Sequence, residues 1–150
     1  MTPSAHTTKR VLVADDDVGI QEVMQDLLSD AGYDVVVTGD GATILRRLRD
    51  WPGLQVVFLD WMMPGMNGHQ VLRAVADDPA LRADNLFILM TAGGKTLPLD
   101  LAQLVTELDV GYLAKPFEID TIINMTAAAF RRLESGESGS WWSDRGSRRG

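Results

Sequence analysis

The chain contains no cysteine, so disulfides and thiolate metal centres are excluded, and a reducing compartment is compatible with it. Its only histidines are His6, near the N-terminus, and His69, at a predicted helix start. No imidazole pair is on offer for a zinc or copper centre. Positive charge is also scarce: 14 Lys and Arg stand against 21 Asp and Glu, a net charge of −7. That balance lacks the basic excess that phosphate-backbone binding requires, and direct contact with nucleic acid is not expected. No apolar run approaches the roughly 20 residues of a membrane helix, and MTPSAHTTKR has no apolar signal-peptide core. The expectation is a cytoplasmic protein away from the membrane. At 150 residues and 45% hydrophobic content, the chain fits one compact domain with little room for a second.

What is present is a repeated switch between short apolar runs and helix-spaced apolar residues, the mark of alternating β and α units around a parallel sheet. Strand-like runs cover Val11 to Ala14, Tyr33 to Thr38, Val56 to Leu59, Leu86 to Met90 and Gly111 to Ala114. Between and after them, helical spacing recurs at Ile20, Val23, Met24, Leu27 and Leu28, then at Ile44, Leu45 and Leu48, then at Val71, Leu72 and Val75. A fourth helix follows through Leu101, Leu104, Val105 and Leu108, and a last one through Ile119, Ile122, Ile123, Ala127, Phe130 and Leu133. The predicted fold is a doubly wound α/β domain over about 9–133, with a flexible arm at 1–8. From Glu134 the composition turns to Ser, Gly and charge, and 134–150 is expected to be a disordered tail or linker stub, with Trp141-Trp142 as a possible anchor for a partner.

In an open α/β sheet, ligands bind beyond the C-terminal strand ends, where the strand order reverses. The first strand ends in Asp15-Asp16-Asp17, the third in Asp60, the fourth in Thr91 and the fifth in Lys115. Each alone has an ordinary explanation: a solvated turn or helix cap for the acids, a β-former for Thr91, plain surface for Lys115. Their recurrence at strand end after strand end does not. Two carboxylates about 4 Å apart repel by something like 4 kcal/mol at an effective dielectric of 20, so crowded acids call for a cation. With only hard oxygen ligands available, that cation is Mg²⁺, which characteristically joins carboxylates to a phosphate. Thr91 can donate to one phosphoryl oxygen and Lys115 can neutralise another, while a central carboxylate can act as nucleophile. In the order 2-1-3-4-5 the third strand adjoins the first, which makes Asp60 the best-placed nucleophile.

Four segments, VLVADDD, FLDWMMPGMNG, LMTAGG and GYLAKPF, taken in order, resemble the receiver domain of two-component response regulators. The resemblance covers about Lys9 to Leu133 and implies the CheY-like, flavodoxin-like (βα)5 fold with five parallel strands ordered 2-1-3-4-5. It further implies that Asp60 is the phosphoacceptor and a Mg²⁺ ligand, that Asp16 binds the metal directly and Asp15 largely through water, and that the Met62 backbone carbonyl completes the protein's share. Thr91 and Lys115 would contact the phosphoryl oxygens, Tyr112 would be a switch aromatic moving with Thr91, and the Lys-Pro step would be cis. The implied partners are a histidine kinase or histidine phosphotransfer protein and a downstream protein meeting the face of the fourth helix, fifth strand and last helix. The chain would be a monomer or a phosphorylation-dependent dimer.

The loop Gly93-Gly94-Lys95 and the LDVGY turn depart from the usual pattern, leaving the fourth helix free to shift. Besides a single-domain phosphoacceptor switch without further enzymatic activity, three readings stay open. One is a receiver fragment of a larger regulator or hybrid kinase, and one is a receiver-like scaffold that is never phosphorylated. The third is a small Mg²⁺-dependent phosphatase of the haloacid dehalogenase type, with Asp15 as nucleophile in Asp15-Asp16-Asp17. That type wants a further acidic pair after its lysine, where the chain offers only Glu118 and Asp120.

Overall fold

A computed structural model describes residues 9–51, 53–63, 65–92, 96–136 and 141–142. The expected arm at 1–8, the Pro64 turn residue, the Gly93-Gly94-Lys95 loop and most of the tail lie outside the described residues. The elements run β1 (Arg10–Ala14), α1 (Val18–Asp30), β2 (Asp34–Thr38), α2 (Gly41–Asp50), β3 (Gln55–Asp60), α3 (Gly68–Ala76), α4 (Pro79–Asp84), β4 (Asn85–Ala92), α5 (Leu99–Glu107), β5 (Gly111–Lys115) and α6 (Ile119–Ser135). All strand pairs are parallel, in the order β2-β1-β3-β4-β5. The expected flavodoxin-like sheet is therefore the one observed.

The strands are apolar on both faces because both faces are covered. Val11, Val13, Val56, Phe58, Ile88 and Met90 point into one layer with Met24 and Leu28 of α1 and Ile122, Ala129 and Phe130 of α6. Their neighbours Leu12, Ala14, Val57, Leu59, Phe87 and Leu89 point into the other, against α2, α3, α4 and α5. Each large side chain so buried contributes about 1.5–3 kcal/mol. This two-sided core holds the strand ends rigid, and those ends carry the polar groups.

Four details differ from the apolar pattern. Strands β3 and β4 begin on buried polar residues, Gln55 and Asn85, whose amides bond to each other at 3.2 Å while Asn85 Nδ2 donates to the Leu81 carbonyl. These bonds pair Gln55 Nε2 and both amide atoms of Asn85, while Gln55 Oε1 is buried without a partner among the described residues. The short helix α4 was not foreseen; Asp78 caps it, accepting from the amides of Ala80 and Leu81, and Pro79 occupies its first turn. Val23, expected inward, is 52% exposed, because α1 packs through Met24 and Leu28 instead.

The fourth detail lies in the described part of the tail: helix α6 runs to Ser135, ending on Gly136 at φ 73°, and Trp141 and Trp142 are half-buried against the core layer of α1 and α6.

Candidate functional site

Register brings the acids together. Ala14 of β1 pairs with Leu59 of β3, so the residues that follow, Asp15 and Asp60, emerge side by side at the sheet's C-terminal edge. Asp60 is opposite Met90 in β4, Thr91 is the next residue, and Lys115 closes β5 opposite Ala92. The Lys115-Pro116 peptide bond is cis.

The three consecutive acids divide the work. Asp15 is fully buried; its Oδ1 accepts from the Asp17 amide at 2.9 Å, and its carbonyl accepts from Gln21 Nε2 at 2.6 Å. Asp17 caps α1, its Oδ1 accepting from the Gly19 and Ile20 amides at 2.9 and 3.3 Å. Asp16 is left exposed to solvent. Oxygens of Asp15, Asp16 and Asp60 all lie within 4.8 Å of one another, and Lys115 Nζ stands 2.8 Å from Asp15 Oδ2 and 3.4 Å from Asp60 Oδ2.

Three carboxylates facing one ammonium leave excess negative charge, and the Asp60 carboxyl registers it. Burial first, and the Asp15 charge second, push its pKa up to about 6, against the opposing pull of Lys115 and the Met62 amide. For Lys115, burial would lower the pKa, but the hydrogen bond to Asp15 and the charges of Asp60 and Asp15 outweigh it and the net shift is upward. This donor set of crowded, hard carboxylate oxygens beside an open edge suits Mg²⁺.

The loop after Asp60 is shaped by two short-range constraints. The Met62 amide donates to Asp60 Oδ1 at 3.3 Å, and the Gly68 amide donates to the Trp61 carbonyl at 3.1 Å. A Cβ on Gly68 would sit 2.7 Å from the Asp60 carbonyl oxygen and 3.0 Å from Trp61 Cα, so only glycine lets α3 start this close to the end of β3. Asn67 then caps α3 in a reciprocal box with Gln70. Met63 is buried and packs in the core as expected, whereas the Met62 side chain is 62% exposed and does not pack there.

Of the residues singled out in the sequence, Asp15, Asp16, Asp60 and Lys115 converge. Thr91 stands at the adjoining strand end, half-buried, and its hydroxyl makes no hydrogen bond among the described residues. Tyr112 lies further back on β5, its phenol pushed to higher pKa by burial. Gln21, which pins the Asp15 backbone, was missed; a lone polar residue on the first turn of a helix carries no local signal of that task. Asp15, the nucleophile of the dehalogenase-type alternative, is fully buried, with its carboxylate engaged by the Asp17 amide and Lys115.

An acidic cluster and a lysine stand at the C-terminal edge of a 2-1-3-4-5 sheet, the edge at which doubly wound α/β domains bind their ligands. Residues 11–127 match the response regulator receiver domain family, and the chain belongs to it. It is 36% identical over 130 residues to the DNA-binding response regulator MtrA of Mycolicibacterium smegmatis, an alignment covering 84% of this chain and 52% of that protein. The chain thus spans about half the length of the curated relatives it matches. Among solved structures it is similar to a CheY-like receiver domain protein from Methanospirillum hungatei, with TM-score 0.71, 28% identity and coverage of 85% and 98% of the two chains. It is also similar to the chemotaxis protein CheY4 of Vibrio cholerae, with TM-score 0.69, 26% identity and coverage of 82% and 99%. Receiver domains are phosphoacceptor switches of two-component signal transduction, phosphorylated by histidine kinases and binding Mg²⁺ at an acidic pocket. Among the described residues no helix is long and apolar enough to cross a membrane.

Proposed function

We propose that Asp60 accepts a phosphoryl group from a phosphohistidine of a histidine kinase or phosphotransfer protein, and that the modified chain presents an altered α5–β5–α6 face to a downstream protein. The observation that carries this is the convergence of Asp15, Asp16, Asp60 and Lys115 at one strand edge, with Asp60, 6% exposed, as the last residue of β3.

An Asp60 carboxylate oxygen forms the new O–P bond as the N–P bond breaks, and the electron pair returns to the imidazole nitrogen, which takes up a proton. Asp15, Asp16, Asp60 and the Met62 carbonyl would hold Mg²⁺, Asp15 largely through water. That ion would supply charge neutralisation for the phosphoryl oxygens. Lys115 neutralises a second oxygen and Thr91 donates to a third. Moving a two-state domain from mostly off to mostly on takes about 5.5 kcal/mol. Charge-assisted hydrogen bonds of about 1.5–3 kcal/mol each, from Thr91 and Lys115, supply that scale. Tyr112 would rotate inward as Thr91 closes on the phosphoryl group.

The acidic balance of these 150 residues favours a protein rather than nucleic acid as direct partner, acting in the cytoplasm, with the receiver monomeric or dimerising on phosphorylation. The half-length match to MtrA favours a second possibility, that the downstream element belongs to the same polypeptide as in a longer regulator or hybrid kinase. The size of the native chain on an immunoblot separates the two. The function itself is tested by incubating the protein with acetyl phosphate and Mg²⁺: one phosphoryl group should add to the wild type and none to Asp60→Asn. Undiminished incorporation in Asp60→Asn overturns the assignment.

A further inference from the structure

Strand β5 is an edge of the sheet, and an edge strand offers unpaired backbone groups and half-covered side chains to anything that fits. Here something of the chain's own fits. Trp141 Nε1 donates to the Asp109 carbonyl at 2.9 Å, immediately before β5 begins. Asp109 is held in a left-handed conformation, φ 57°, and Arg132 of α6 binds its carboxylate at 2.6 Å, so the accepting carbonyl is fixed from both sides. Gly111 supplies the floor. A Cβ there would lie 2.9 and 3.0 Å from Cζ2 and Cη2 of Trp141 and 3.2 Å from Cγ of Trp142, so the absent side chain is what admits both indoles.

The second indole packs in the same α1 and α6 layer as the first and also meets the ring of Tyr112 at the sheet edge. Gly111 and Leu113 face the layer of α1 and α6, whereas Tyr112 faces that of α5; the Trp142 ring is 5.6 Å from the Tyr112 ring, tilted by 58°. The pair therefore packs along the β5 edge and touches Tyr112 through Trp142. Two aromatics of this kind supply large contact area at low entropic cost. Connected to α6 by a short segment, they act at an effective concentration on the order of millimolar.

We infer that Trp141-Trp142 is an intramolecular ligand of the α5–β5–α6 face, seated on Gly111, Asp109 and Tyr112, which any protein partner of that face must displace. Its coupling to phosphorylation rests on the phosphoacceptor function proposed above. If Tyr112 turns inward when Asp60 is modified, Trp142 loses its ring partner and the pair is released, so phosphorylation uncovers the face.

The full chain labelled with 5-fluorotryptophan tests this by ¹⁹F NMR, with resonances assigned by single Trp→Phe changes. In the wild type the 141 and 142 signals should lie away from the free-indole position and stay there on dilution. Gly111→Ala, which leaves the Asp60 cluster untouched, should move both to the free position. Signals already at the free position in the wild type, or unmoved in Gly111→Ala, overturn the docking. Signals that collapse on dilution assign the contact to a second copy and overturn it equally. Mg²⁺ with beryllofluoride should shift both signals toward the free position. A spectrum showing bound beryllofluoride but unmoved 141 and 142 signals refutes the coupling. Absence of bound beryllofluoride refutes the phosphoacceptor function and its coupling, while the Gly111→Ala comparison still decides the docking.

Discussion

Lys115 lies closer to Asp15, with Nζ 2.8 Å from Oδ2, than to Asp60, from which it is 3.4 Å away. In the unmodified protein the ammonium is thus committed first to a carboxylate that has no other counter-charge in reach among the described residues. A phosphoryl group on Asp60 would have to draw it across the edge of the sheet, which gives Lys115 two distinct jobs, one before phosphorylation and one after.

Removing that ammonium separates the two jobs. Lys115→Ala leaves Asp15 and Asp60 facing each other without a cation, and the metal-free protein should lose about 1–2 kcal/mol. This is less than the 3–5 kcal/mol of a fully buried pair, because the lysine side chain is 24% exposed. Mg²⁺ should then raise the melting temperature of Lys115→Ala more than that of the wild type, while phosphorylation should no longer shift amide resonances in α5 and β5. An unchanged melting temperature in metal-free buffer, or an intact NMR response, counts against this role.

Asp60 makes the metal-free fold pH-sensitive in a defined direction. Its folded pKa of about 6 lies above the ordinary 3.8, so between those values the folded state holds a proton that the unfolded chain has released. The stability from this group is fully present below the lower value and is lost as pH rises through the upper one. Urea unfolding in chelator should find Asp60→Asn more stable than wild type at neutral pH, with the gap closing as pH falls toward the lower value. A gap independent of pH would place the carboxyl in an unperturbed setting. Mg²⁺ affinity should fall over the same window as Asp60 takes up its proton.

Gly68→Ala tests whether the loop after Asp60 is held by close approach. Helix propensity alone would favour the change by up to about 1 kcal/mol. The new methyl group would press on the Asp60 carbonyl oxygen and Trp61 Cα, and overpacking of this kind costs about 1–3 kcal/mol. The expected outcome is net destabilisation together with slower phosphorylation by acetyl phosphate. A neutral or stabilised variant with normal labelling would show that the loop can give way.

Much of this site could be read from residue order, because a parallel sheet turns the last residue of each apolar run into a neighbour of the last residue of the next. That is why Asp15, Asp60 and Lys115 converge as expected; the alternation of runs pointed to a parallel sheet, and the resemblance to receiver domains supplied its strand order. What escaped depends on partners distant in sequence. The buried Gln55–Asn85 pair extends two strands through polar residues, and α4 is too short to show a period. Trp141-Trp142 sits in a segment whose composition speaks for disorder, yet it is seated by a glycine about thirty residues earlier, and no local pattern records such a contact.

The central claim is that Asp60 itself carries the phosphoryl group, and the most direct measurement traps that bond. Protein treated with acetyl phosphate and Mg²⁺, then reduced with borohydride and digested, should yield homoserine at position 60 by peptide mass spectrometry, with no such conversion at Asp15 or Asp16. Homoserine at either of those positions, or label that survives reduction elsewhere with position 60 still aspartate, would contradict the account.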